Sequence, residues 1–220
     1  MVPEHKLTRW FWIRHAPAID PEGRLYGQRD VDCDCSNHLV FAALARELPD
    51  DAVWLVTPLQ RTRKTAAAIQ AAGRAGPAPI VEPLLMEQNF GAWQGQIRSE
   101  VTKHRLWIAA PDAQAPGGES FVEVYARCRA AIERWTAECK GRNIIAVAHG
   151  GTIRAALGVA LDLPAETALA FSCENLSLTM IEHFETPARA HDWRVSAVNR
   201  VPARLYATAI GHGASGTAGL

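Results

Sequence analysis

The sequence predicts an α/β fold, a three-layer α/β/α sandwich around a mostly parallel central sheet. The first observation is a set of short, continuous apolar runs, typical of strands buried on both faces of a sheet. These runs are Trp10–Ile13, Val53–Val56 and Ile144–Val147. The second observation is that helical patterns lie between them. Strands that alternate with helices indicate a parallel sheet covered by helices on both faces.

Three helices are predicted, over Pro58–Ala72, Ser120–Cys139 and Thr152–Leu161. Thr57 and Pro58 suit the start of the first, because proline is favoured in the first turn of a helix. The second opens with Ser120 and Glu123 in the spacing of a capping box. Each helix therefore follows an apolar run or a turn, as the layered fold requires.

Two later segments, Leu176–Phe184 and Trp193–Val201, have the β-rich composition of strands. Residues 111–118 contain two prolines and two glycines and are predicted to form a loop. No convincing boundary divides the chain, so we expect a single domain over residues 1–210. Residues 211–220, rich in Gly, Ser, Thr and Ala, are expected to form a flexible tail.

Composition limits the classes of partner. The chain has 220 residues, of which 48% are hydrophobic, and its 23 Lys and Arg balance its 23 Asp and Glu. A net charge of zero gives no global field to attract nucleic acid or an anionic membrane, so we expect neither as a partner. Five irregularly spaced cysteines and the lack of a targeting signal favour reduced thiols and a cytoplasmic protein.

The residues that follow the predicted strands are chemically alike. The first strand ends in Arg14-His15, the second leads into Thr57–Arg61, and the third is followed by His149-Gly150-Gly151. In an open parallel sheet, ligands bind beyond the carboxyl ends of the strands. Guanidinium groups match phosphate oxygens, and a helix that begins at glycine offers backbone N–H groups to an anion. The cluster predicts a phosphate site.

Each of these residues also has an ordinary interpretation. A lone arginine is usually a surface residue, and a lone histidine is usually a hydrogen-bonded residue of a turn. Only their joint occurrence at strand ends favours a site. A carboxylic acid to protonate a leaving alcohol is expected from another loop, and Glu87, which follows an apolar stretch, is the best candidate. A solvated loop carboxylate is an equally good interpretation of Glu87.

The order of these segments resembles the histidine phosphatase superfamily, in its phosphoglycerate mutase-like branch. The resemblance rests on Arg14-His15, Thr57–Thr62, Glu87 before Phe90–Gly95, and Ala148–Gly151. It implies a phosphoglycerate mutase-like fold and no metal or other cofactor. It also implies that His15 is the phosphorylated nucleophile, that Glu87 is the proton donor, and that the phosphoryl oxygens are held by Arg14, Arg61 and His149, beside Gly150.

The first loop departs from the family pattern. Relatives commonly carry glycine and then an acidic residue after the histidine, where this chain has Ala16 and Pro17. The asparagine that often supports the phosphate has no clear counterpart. Asp20 is able to replace it only if its carboxyl is protonated or paired with an arginine, so it is left out of the predicted site.

The resemblance leads us to expect a phosphomonoester hydrolase that acts on a small molecule, as a monomer or homodimer. Leu25–Asp30 is most similar to α-ribazole phosphatase and broad-specificity enzymes. Phosphoglycerate mutase activity is an alternative, although the insertions and ordered tail of mutases are not evident. A weak phospho-ligand binding module is another. Trp93 and Trp107 are interpreted as packing residues, with stacking on a substrate ring as the alternative.

Overall fold

The computed structural model describes residues 6–20, 22–103, 110–185 and 192–202. The strands are β1 (Leu7–Arg14), β2 (Ala52–Val56), β3 (Ile80–Val81), β4 (Asn143–Ala148), β5 (Leu178–Phe184) and β6 (Trp193–Arg200). The helices are α1 (His38–Glu47), α2 (Gln60–Ala71), α3 (Arg98–Lys103), α4 (Phe121–Glu138), α5 (Gly150–Leu161) and α6 (Ala165–Ala168). Single 3-10 turns lie at Pro83–Leu85 and Gly91–Trp93.

The six strands form one sheet in the order β3-β2-β4-β1-β5-β6. Strands β3, β2, β4 and β1 are parallel to one another. Strand β5 is antiparallel to both β1 and β6. The predicted α/β fold with a mostly parallel sheet is therefore confirmed, and β5 supplies its antiparallel part.

The core lies in two layers, one on each face of the sheet. Successive side chains of a strand point to opposite faces, so Trp10 and Trp12 of β1 pack with α4 and α5. Phe11 and Ile13 pack on the other face with α1 and α2. All four side chains are buried. This two-sided burial explains why β1 is continuously apolar, and it gives the three layers that the sequence predicts.

Several predicted boundaries were wrong by one to two residues. Helix α2 begins at Gln60, after Leu59 as N-cap, and not at Pro58. Thr57 lies before the helix, and its backbone N–H donates to the Thr62 hydroxyl at 3.1 Å. Helix α5 begins at Gly150 and not at Thr152, since His149 is its N-cap.

Strand β5 begins at Leu178 and not at Leu176, since Leu176 has a left-handed backbone with φ of 58°. Strand β6 ends at Arg200, one residue before the predicted end. Helix α4 occupies Phe121–Glu138, and Ser120 and Glu123 form the predicted capping box.

Two of the expectations fall partly or wholly outside the described residues. The proposed tail, residues 211–220, lies there, as does Trp107. A single domain over residues 1–210 remains a prediction. Within the described part of the chain, no helix combines the length and the apolar character needed to cross a membrane.

Candidate active site

The two candidate histidines lie side by side at the ends of neighbouring strands. Arg14 of β1 is paired with Ala148 of β4, and the His15 N–H donates to the Ala148 carbonyl at 3.0 Å. His15 follows Arg14 and His149 follows Ala148, and the centroids of the two imidazole rings are 5.2 Å apart. Parallel pairing of two buried strands therefore brings together two residues separated by most of the sequence.

His15 is fully buried, and its environment selects one neutral form of the imidazole. Nδ1 lies 2.6 Å from the backbone carbonyl oxygen of Ala16, which is only an acceptor, so Nδ1 carries the proton. Burial, and after it the charge of Arg61, lowers the pKa of His15 to about 3. At neutral pH the unprotonated Nε2 has a free lone pair, as a nucleophile requires.

His149 is also fully buried and neutral. Burial, followed by the charge of Arg61, lowers the pKa of His149 well below its usual value. Its Nε2 lies 3.0 Å from the Thr57 hydroxyl. If that hydroxyl donates to Nε2, then Nδ1–H of His149 is a donor. Thr57 therefore couples the end of β2 to the histidine at the end of β4.

Arg61 is fully buried, and Arg14 is half-buried. Arg61 donates from Nη2 to the Gly27 carbonyl at 2.6 Å and from Nη1 to the Arg29 carbonyl at 2.9 Å. Its guanidinium also lies 5.0 Å from the centroid of the Tyr26 ring. Burial lowers the pKa of Arg61. Within the described residues, the hydrogen bonds of its guanidinium go to backbone carbonyls and not to a carboxylate. Arg14 donates to the Cys173 carbonyl at 2.5 Å.

These four residues share an unusual property. Within the described residues, eight buried side-chain nitrogens or oxygens have no hydrogen-bond partner. Half of them belong to the predicted site: Arg14 Nε, His15 Nε2, Arg61 Nε and His149 Nδ1. An unpaired buried polar atom costs about 1–3 kcal/mol unless something pairs with it. A tetrahedral oxyanion offers acceptor oxygens for the two arginine donors, and for His149 Nδ1 in the tautomer that carries its proton there, beside a nucleophile.

A cavity of about 190 Å³, the inner cavity, adjoins this cluster. Its walls include Arg14, Glu87, Gly150 and Tyr26. His15, Arg61 and His149 are not among its lining residues, because no atom of the three is exposed. Tyr26 lies between the cavity and His15, since it lines the cavity and its ring meets the His15 ring edge to face, with centroids 6.4 Å apart.

Glu87 is on the other side of the first turn of α5. Its Oε1 accepts hydrogen bonds from the backbone N–H groups of Gln88, at 3.0 Å, and Gly151, at 3.2 Å. A Cβ at position 151 would lie 2.5 Å from Oε1, so any larger residue there would displace the Glu87 carboxylate from this position. The carboxyl group of Glu87 is therefore held against the same helix start that contains Gly150.

The loop that contains Glu87 is held by Arg127 of α4. Arg127 donates to the carbonyls of Leu84, Met86 and Glu87 at 2.7 to 3.1 Å. The Arg127 guanidinium is oriented by two hydrogen bonds that it donates to the Glu119 carboxylate, at 2.7 and 2.9 Å. Sequence reasoning missed Arg127, because nothing in its own helix indicates that it reaches a loop some forty residues earlier.

The turn before β5 holds Arg14-His15 from the side, which was also missed. The Asn175 side-chain amide donates to the His15 carbonyl at 2.8 Å. The Leu176 N–H donates to the Arg14 carbonyl at 2.9 Å. Leu176 adopts a φ of 58°, which L-residues other than glycine rarely adopt. An asparagine thus supports the site, but from the far end of the chain and not from the first loop.

Two other residues singled out in the sequence lie elsewhere. Asp20 accepts a hydrogen bond from the Arg24 backbone N–H and so belongs to a local turn. Trp93 is buried with Leu25, Val101 and Ala115 in a small cluster, which favours packing over stacking on a ligand. Among the described residues, no three His, Cys, Asp or Glu side chains form a group able to hold a metal ion.

The same motifs are recognised by comparison with known families. A family model for the histidine phosphatase superfamily (branch 1) matches residues 10–196. The chain belongs to the histidine phosphatase superfamily. Its phosphoglycerate mutase-like fold and its membership of this superfamily agree with the sequence prediction.

Curated members of the superfamily resemble this chain over different lengths. Bifunctional protein Rv2228c of Mycobacterium tuberculosis is 31% identical over 133 residues, which are 58% of this chain but only 36% of that protein. Phosphoserine phosphatase 1 of Hydrogenobacter thermophilus is 29% identical over 81% of this chain and 88% of its own length. A probable phosphoglycerate mutase, GpmB of Photorhabdus laumondii, is 27% identical over 89% of this chain and 94% of its own length.

Solved structures of other histidine phosphatases share the fold. Mycobacterial glucosyl-3-phosphoglycerate phosphatase Rv2419c aligns with a TM-score of 0.76 and 24% identity, covering 88% of this chain and 99% of that one. A putative α-ribazole-5'-P phosphatase from Escherichia coli aligns with a TM-score of 0.70 and 17% identity, covering 88% and 98%. At these identities the likeness concerns the fold alone.

Proposed function

We propose that this histidine phosphatase is a metal-independent phosphomonoester hydrolase that acts through a phosphohistidine at His15. The observation that carries the proposal is the neutral His15 imidazole, with Nδ1 bound to Ala16 and Nε2 unpaired. Unpaired donors of Arg14, Arg61 and His149 lie in the same cluster. Arrayed arginines are able to stabilise the charge of a transferring phosphoryl group.

In the first step, His15 Nε2 attacks phosphorus, and an N–P bond forms as the ester P–O bond breaks. The Glu87 carboxylic acid gives its proton to the departing alkoxide. In the second step, the Glu87 carboxylate takes a proton from water as that water attacks phosphorus. The N–P bond breaks, phosphate leaves, and His15 returns to its neutral form. The two arginines, His149 and the N–H of Gly150 hold the phosphoryl oxygens.

Access to His15 requires a local movement. His15 has no exposed atom, whereas Tyr26 lines the inner cavity and contacts both His15 and Arg61. We infer that the phosphate displaces the Tyr26 ring when it reaches Nε2. Substrate phosphate then replaces the ring as the neighbour of the Arg61 guanidinium.

The first test is phosphate release from a panel of monoesters in excess EDTA, by wild type and His15→Ala. The panel includes phosphoserine, 3-phosphoglycerate, glucosyl-3-phosphoglycerate and α-ribazole 5'-phosphate. We expect hydrolysis by wild type, loss in the variant by at least about 10³-fold, and an acid-labile ³²P label on His15 after rapid quenching. Circular dichroism should show that the variant remains folded.

Other outcomes distinguish the alternatives. Formation of 2-phosphoglycerate with little phosphate would identify a mutase, and tight phosphate binding without turnover would identify a binding module. Activity that EDTA removes and added metal restores would overturn the proposed chemistry. The panel also decides the substrate, for which we propose a small phosphomonoester, with α-ribazole 5'-phosphate as one candidate, in a cytoplasmic setting.

A further inference from the structure

The inner cavity continues into a second one that carries positive charge. This outer cavity, of about 160 Å³, shares six of its eight lining residues with the inner cavity. Two of the shared residues are Arg98, at the start of α3, and Arg154, on α5. No Asp or Glu is among the described residues that line the outer cavity. Glu87 is the one acidic side chain among the described residues that line the inner cavity.

Arg154 joins the outer cavity to the phosphate cluster. Its Nε donates to the Phe171 carbonyl at 2.7 Å, which fixes the plane of the guanidinium. A Cβ placed on Gly150 would lie 3.6 Å from Arg154 Nη1 and 3.7 Å from Arg14 Nε. Arg154 Nη1 and Arg14 Nε are therefore no more than about 7.3 Å apart. Arg98 is exposed, and no acidic partner for it is found within the described residues.

Apart from Gln88, whose side-chain amide donates to the Glu119 carbonyl at 2.8 Å, the remaining walls that the two cavities share are apolar. Phe90, Phe121 and Leu169 line both cavities, and Ala110 and Ala113 complete the outer one. Phe121 is 3% exposed, so its ring is a fixed part of the wall. A ligand there meets these apolar side chains and the guanidinium groups of Arg98 and Arg154.

We propose that the alcohol released by this enzyme has an apolar body and bears an anionic group of its own, bound by Arg98 and Arg154. This inference rests on the proposed function and defines its substrate class. Planar guanidinium groups bind carboxylates and phosphates alike in two-fold hydrogen bonds. The shared chemistry is therefore an oxyanion, and the source is either a carboxylate or a second phosphate.

The test is a matched pair of esters, para-carboxybenzyl phosphate and its methyl ester. Their leaving alcohols are nearly the same, and only the remote charge differs. We expect wild type to have a kcat/KM at least about tenfold higher for the acid, the ratio expected for one charge-assisted hydrogen bond. In Arg154→Gln and in Arg98→Gln this ratio falls about fivefold, and in the double variant it approaches one. The bisphosphate analogue tests the other source of the charge.

Arg63→Gln is the matched control, because Arg63 is exposed on α2 and is not among the residues that line either cavity. It should retain the wild-type ratio. Arg154→Lys, which keeps the charge, should lie between wild type and Arg154→Gln. A wild-type ratio near one for both charged esters overturns the inference and leaves the proposed function intact. An unchanged ratio in both Gln variants overturns the assignment to these arginines. Failure to hydrolyse any ester, without labelling of His15, overturns the proposed function itself.

Discussion

The two ends of the candidate site are built differently. At the inner end, His15 and His149 follow paired strands, and their separation is set by strand pairing in the middle of the sheet. At the outer end, Phe121 and Arg154 belong to α4 and α5, but Phe90, Arg98 and Ala110 belong to loops or the start of a short helix. The inner end is fixed by backbone hydrogen bonds, while the outer end depends in part on side chains of connecting segments, which are the parts of a fold that vary most readily.

This difference separates two properties of the enzyme. Changes at the inner end should lower turnover of every ester, since they act on the phosphoryl group that all substrates share. Changes at the outer end should alter the ratio between esters. The comparison fails if an inner variant changes selectivity alone or if an outer variant lowers turnover of all esters equally.

After His15→Ala, the largest inner effect is expected for Glu87→Gln. Loss of the acid should slow alkyl phosphates by about 10²–10⁴-fold, the usual contribution of general acid–base catalysis. p-Nitrophenyl phosphate needs little protonation to depart, so His15 phosphorylation by it should slow much less. Rapid-quench measurement of the phosphohistidine with both substrates checks this. Equal losses in that first step would contradict the acid role of Glu87.

A smaller inner effect is expected for Asn175→Ala, which removes the 2.8 Å hydrogen bond to the His15 carbonyl. A misplaced nucleophile lowers kcat, and we expect a loss of about tenfold to a hundredfold for every ester. Binding of inorganic phosphate, measured by calorimetry, should change by less than about threefold because the arginines remain. Ser196→Ala, a change at an exposed residue of β6, is the control. A loss confined to KM would show that Asn175 does not position His15.

The smallest effect concerns pH and stability. The pKa of His15 falls from 6.5 to about 3 on folding, so the unfolded chain binds more protons at acidic pH. The stabilisation is therefore complete above 6.5 and decreases as pH falls toward 3. At pH 5.5 the loss from His15 alone is about 1 kcal/mol relative to pH 7.5. Urea unfolding of wild type and His15→Gln at both values checks this, and equal losses in the two proteins would refute it.

The sheet was predictable because burial on both faces leaves a local signal. Trp10–Ile13 and Ile144–Val147 are continuous apolar runs, and the residues after them had to meet at one edge of a parallel sheet. Helix α1 was missed although Asn37 caps it by accepting from the Val40 N–H, a signal that is present in the sequence. Strand β3, with two residues, and α3 and α6, with six and four, are too short for any periodic pattern.

The supporting residues of the site were not predictable for a different reason. Arg127 and Asn175 act through side-chain contacts to backbone carbonyls far away in the sequence. Such contacts depend on tertiary structure and leave no spacing to recognise. Tyr26 lies in Leu25–Asp30, the segment that resembles α-ribazole phosphatase, but nothing in that segment indicates that its ring lies between the inner cavity and His15.

The left-handed backbone of Leu176 restricts how this position is able to change as the protein diverges. A left-handed L-residue costs about 1–2 kcal/mol, whereas burial of a leucine side chain contributes about 1.5–3 kcal/mol. Leu176 is 6% exposed and packs in the core beneath α1. Glycine would relieve the backbone but leave a hole in the core, and a β-branched residue would fill the core but oppose the backbone. Evolutionary drift at this position is therefore limited from two directions, although Leu176 itself takes no part in the chemistry.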